Sequence, residues 1–70
     1  MNIWSATVDN GQFECSVERL TNRTGKLVVK EGTNVLLEKE VGLSYGAQFG
    51  PDIDDVRYWQ ELCIEVIDGK

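Results

Sequence analysis

Seventy residues, 41 % of them hydrophobic and 27 % charged, suit one small domain with a single modest core and argue against both a two-core protein and a disordered tail. A net charge of −5 argues against a nucleic-acid binder, which needs Lys and Arg massed on one face. The chain has no histidine, the side chain that most often serves as general base or zinc ligand, and this weighs against most hydrolase and metalloprotein readings.

Residues 2–8 and 12–20 alternate apolar and polar with the period of half-buried strands. Between them Asn10-Gly11 is the dipeptide that best tolerates the positive φ angles of a type I′ hairpin turn. That turn sets Val8 opposite Phe13, Ala6 opposite Cys15 and Trp4 opposite Val17, which is also the register chosen by the hydrophobic alternation. Ser5, Thr7, Glu14, Ser16 and Glu18 then line the other face.

A polar stretch, residues 21–25, leads into a third strand over 26–31, whose Leu27 and Val29 are expected on the core face opposite Arg19 and Val17. Lys26 and Lys30 fall near Glu14 and Glu18 on the wet face, pairs that serve register and solubility. A fourth strand is predicted over 35–41. A two-residue Gly32-Thr33 turn sets Leu36 against Val29. A three-residue loop ending at Asn34 sets Leu37 there instead, and is preferred because it keeps Val35, Leu37 and Val41 on one face.

Residues 42–51 carry no charge, are rich in glycine and match neither period, so a structured loop is expected. A helix over 52–68 follows, with Asp52 as cap, Asp54 and Asp55 against the positive dipole end, and Gly69 as the stop. Val56, Trp59, Leu62, Cys63, Val66 and Ile67 share its apolar face, with Ile53 and Ile64 at the margin. The opposite face holds Asp54, Arg57, Glu61, Glu65 and Asp68. The expected architecture is therefore α+β: one domain spanning residues 1–70, an antiparallel four-stranded β-meander packed on one face by the C-terminal helix.

No signal-peptide pattern follows Met1, and no apolar stretch approaches the length that crosses a bilayer, so a cytoplasmic protein is expected. Cys15 and Cys63 are then read as reduced core thiols, both pointing inward. Cys63 lacks a histidine base, Ser5, Ser16 and Ser44 lack an activating partner, and Gly42, Gly46 and Gly50 are not followed by the lysine of a phosphate-binding loop. Asp52, Asp54 and Asp55 are not spaced as a calcium loop, and Glu61 and Glu65 lie on a solvated face where nothing raises a pKa. No catalytic residue, cofactor or metal is expected, and neither nucleic acid nor a membrane is expected as a partner.

What remains is a binding surface. Tyr45 and Phe49 sit on an uncharged, glycine-punctuated loop beside the helix start, where rings serve equally well as an interface or as a lid over the core. Asp54, Tyr58, Glu61 and Glu65 mark the outer face of the helix. All five net negative charges belong to the second half of the chain, which carries three basic and eight acidic residues against four and four in residues 1–35. An accessory protein that binds another protein through these residues is the leading expectation. An acidic mimic of nucleic acid and a self-associating structural protein of a virion are the alternatives.

The run from Val41 to Val56, with its Tyr45-Gly46-Ala47 and Phe49-Gly50-Pro51-Asp52 pieces, followed by Trp59, resembles short proteins of actinobacteria and their bacteriophages. The likeness extends loosely to Trp4, Thr24-Gly25 and Val35-Leu36-Leu37. That group has no assigned activity, so the resemblance implies an intracellular bacterial or phage origin and no residue roles. A phage-encoded modulator of a host protein suits it.

Overall fold

The first hairpin is closed by the turn that its dipeptide favours. In the computed structural model, which describes residues 2–43 and 52–69, strands β1 (Asn2–Val8) and β2 (Phe13–Arg19) join through Asn10 and Gly11, at φ 57° and 90°. The Gln12 amide donates to the Asp9 carbonyl at 3.1 Å, closing a β-turn of the I′ kind at the centre of the four-residue loop 9–12. Asp9 adopts a left-handed φ of 55° as well, a conformation that Asp tolerates better than most residues. Val8–Phe13, Ala6–Cys15 and Trp4–Val17 are paired as expected.

The second connection differs from expectation. Strand β3 runs Thr24–Glu31, so Gly25 lies inside the strand opposite Arg19, and Leu27 and Val29 face Val17 and Cys15 rather than Arg19 and Val17. The faces are unchanged, since the displacement is two residues, but the turn is tighter. The Thr21 hydroxyl tightens it by accepting from the Arg23 and Thr24 amides at 3.2 and 3.0 Å. Gly25 belongs in the strand for a packing reason: a Cβ there would stand 3.0 Å from both the Glu18 carbonyl and the Val17 side chain.

The third connection combines the two anticipated alternatives. Glu31 pairs with Asn34, so the turn is the two-residue Gly32-Thr33, with Gly32 at φ 61°, and not the preferred three-residue loop. The additional residue is accommodated inside β4 (Asn34–Gly42) as a bulge, after which Leu37 does face Val29. The bulge reverses the expected place of Val35, which pairs with Lys30 on the wet face and is 50 % exposed. It also brings consecutive residues, Leu36 and Leu37, against the core. β1 has a matching irregularity between Asn2 and Trp4, and there Ile3 and Trp4 both pack inward. Thus each edge strand uses a bulge to turn two neighbouring apolar residues to the core.

The sheet is an antiparallel meander in the order β1-β2-β3-β4. Helix α1 (Ile53–Asp68) lies on one face, which makes the architecture α+β as expected. Cys15, Val17, Leu27, Val29, Val41 and Leu43 from the sheet side enclose Trp59 and Cys63 of the helix. Trp59 is fully buried, its ring centroid 5.7 Å from that of Trp4 at 44°. The opposite sheet face is open and polar, with Lys26 3.4 Å from Glu38. No helix among the described residues is long and apolar enough to cross a membrane.

Candidate binding face of the helix

α1 starts as its sequence requires. The Asp52 carboxylate accepts from the Asp54 amide at 2.9 Å, its carbonyl accepts from the Val56 amide at 2.9 Å, and Asp54 and Asp55 occupy the first turn. Gly69 closes the helix, its amide donating to the Glu65 carbonyl at 3.1 Å. The 3.6-residue period then fixes which residues face outward. Trp59 and Cys63 are buried, and Val56, Leu62, Val66 and Ile67 pack partly buried against the sheet.

Asp54, Tyr58, Glu61 and Glu65 are all exposed, as expected for the outer face, and Asp68 extends the row. Their spacings of four, three, four and three residues make a straight stripe along the helix. Tyr58, 47 % exposed, is the one aromatic residue in it. The other two candidate residues, Tyr45 and Phe49, lie outside the described residues.

The two ends of the stripe have different physical meaning. Asp54 favours the helix through the dipole. Glu65 and Asp68 occupy the last turn, where negative charge is unfavourable, and no basic residue of the helix accompanies them there. Glu61 and Glu65 also repel one another at i, i+4 spacing. Beside them Ile64 is 53 % exposed, and Glu61, Glu65, Asp68 and Gly69 share a shallow depression with it. Sequence reasoning placed Ile64 only at the margin of the buried face. Its position one residue after Cys63, and off the Trp59–Cys63 line, is the signal that marks it as outward.

The buried Cys63 thiol is held in its neutral form. Burial pushes the Cys63 thiol well above its ordinary range, and a hydrogen bond with Cys15 adds to the rise. Among the described residues no cluster of three Cys, Asp or Glu side chains converges in an arrangement able to hold a metal ion.

No family model matches the chain, and neither a curated protein nor a solved structure shows significant similarity to it.

Proposed function

We propose that this protein is a non-catalytic accessory protein that binds another protein through the outer stripe of α1, with Tyr58 at its centre and Asp54, Glu61, Glu65 and Asp68 around it. The partner's matching surface is basic. The observation that carries the reading is the placement of Glu65 and Asp68 against the helix's own dipole, with Glu61 repelling Glu65 one turn away, beside an exposed Tyr and Ile. The dipole disfavours carboxylates in that turn, whereas an aromatic ring rimmed by charge is a common interface centre.

A mimic of DNA is the weaker fit. Four carboxylates, interrupted by a tyrosine, spread over about 21 Å of helix at ~1.5 Å per residue. A single DNA strand carries one charge per ~3.4 Å. Modulation of a host protein by a phage product suits a protein of this size, in keeping with the resemblance carried by residues 41–56.

Affinity capture from a bacterial lysate with two baits tests the reading. The native chain should retain proteins that leave as salt rises from about 0.05 to about 0.3 M, because exposed charges are increasingly screened over that range. A Tyr58→Ala, Glu61→Lys, Glu65→Lys variant should not retain them. Equal recovery by both baits would refute the assignment of this face.

A further inference from the structure

The two edges of the sheet are not alike. β4 presents Glu38, Lys39 and Glu40 in succession, with Lys39 on the helix side opposite Leu27 and the other two on the open side. Charge of this kind on both faces is how sheet edges avoid pairing with other chains. β1, Asn-Ile-Trp-Ser-Ala-Thr-Val, has no charged residue and no proline in a chain that is 27 % charged. Its one irregularity lies at the start, between Asn2 and Trp4, which leaves Trp4 to Val8 as regular strand.

The backbone groups available on that edge follow from the neighbouring ladder. The Leu20 amide donates to the Thr24 carbonyl and the Gly32 amide to the Gln12 carbonyl, so even-numbered residues of β2 bond to β3 and Phe13, Cys15 and Val17 bond to β1. Val8, Ala6 and Trp4 are thus bonded to β2, and Ser5 and Thr7 direct their N–H and C=O groups away from it. Trp4, Ala6 and Val8 turn their side chains to the helix side. With Thr7, Cys15, Gln60, Cys63 and Ile64 they line a cleft of about 210 Å3 between β1 and α1. Open backbone groups and an incompletely filled apolar cleft therefore lie side by side.

We infer that β1 is a self-association edge and that its occupant is the β1 strand of a second copy of this chain, in antiparallel register about Ala6. A two-fold axis through the Ala6 pair sets Trp4 opposite Val8 of the second copy and Ser5 opposite its Thr7. It keeps both helices on one side of a continuous eight-stranded sheet. The edge is self-complementary in this register because apolar residues meet apolar ones and hydroxyls meet hydroxyls. It is also the strand that brings no like charges together in a molecule of net charge −5. The small Ala6 side chain at the axis lets Trp4, Val8 and Ile64 close over the two clefts. One paired strand with its flanking side chains is small beside the ~800 Å2 per partner of a stable interface, so association is weak and concentration-dependent. This edge is separate from the outer stripe of α1 and does not rest on the function proposed for that stripe.

Sedimentation velocity from about 10 µM to about 1 mM, with amide exchange followed by NMR, tests the inference. The native chain should shift from a 7.9 kDa monomer toward a dimer, and the Ser5 and Thr7 amides should gain protection as concentration rises. Thr7→Pro removes one outward donor per copy without taking a bond from β2, and should weaken association about tenfold or more. Ser5→Lys with Thr7→Lys, at exposed positions of the open face, sets lysines opposite one another in the dimer and should abolish it. If Thr7→Pro fails to fold, this double variant alone decides. A monomer throughout the range overturns the inference, including one whose edge pairs only with a strand of another protein. So does a dimer that the double variant leaves unchanged.

Discussion

Cys15 of β2 and Cys63 of α1 meet in the core and hydrogen-bond through their sulfurs, which join sheet to helix beside Trp59. Both are buried, and burial is the larger cause of the raised Cys63 pKa. In the unfolded chain the same thiol ionises at about 8.5. Above that pH the unfolded state loses its proton while the folded state keeps it, which favours unfolding. The contribution is therefore complete below about pH 8.5 and declines as pH rises toward the folded-state value. Thermal melts of the native chain should show this decline relative to Cys63→Ala, which lacks the group. Parallel profiles for the two proteins would contradict the burial of a neutral thiol.

Trp59 separates the value of shape from the value of polarity. Among the described residues its fully buried indole nitrogen meets no acceptor. Trp59→Phe therefore loses ring area but no hydrogen bond, and is expected to cost about 1–2 kcal/mol. Trp59→Ala leaves a large cavity beside Trp4, costing about 3–5 kcal/mol. For a domain whose total stability is about 4–10 kcal/mol, the second change should leave a substantial unfolded population at room temperature. Urea titration followed by circular dichroism distinguishes the two variants.

At Gly25 the limiting factor is space. The Cβ of an alanine would stand 3.0 Å from the Glu18 carbonyl and from Val17 Cγ1, both on the neighbouring strand. Because a backbone carbonyl cannot swing aside, Gly25→Ala should destabilise by about 1–3 kcal/mol. Gly11→Ala meets no neighbour but must hold φ near 90°, so its cost is strain alone, about 1 kcal/mol. Denaturation midpoints should place Gly25→Ala below Gly11→Ala.

The helix cap is measurable separately. Asp52→Ala removes the acceptor for the Asp54 amide and should cost about 0.5–2 kcal/mol, whereas Asp52→Ser should retain most of the stability. Equal melting temperatures for the two variants would show that the carboxylate is not acting as a cap.

How far the sequence foretells this structure depends on whether a feature is local. The Asn10-Gly11 turn, the Asp52 cap and the Trp59–Cys63 stripe are each set by chemistry within a few residues, and all three appear as expected. The register of β3 was displaced by two because Gly25 reads locally as a turn residue, while the need for it comes from Val17 on another strand. The bulge that turns Leu36 and Leu37 inward is likewise a choice made by packing against the helix, invisible to period-two alternation. Of the candidate surface, Asp54, Tyr58, Glu61 and Glu65 were legible from the helical period. The cleft beside β1 was not, since it arises from how α1 crosses the sheet and leaves Ile64 next to Trp4, Ala6 and Val8.

Site-specific photo-crosslinking tests the role of the helix face most directly. A photoreactive phenylalanine analogue at Tyr58 should yield a discrete adduct with one cellular protein, suppressed by Glu61→Lys and Glu65→Lys in the same chain. The same probe at Ser16, on the open sheet face, should not yield that adduct. No specific adduct from position 58, or identical adducts from both positions, would contradict the claim that the outer stripe of α1 is the binding surface.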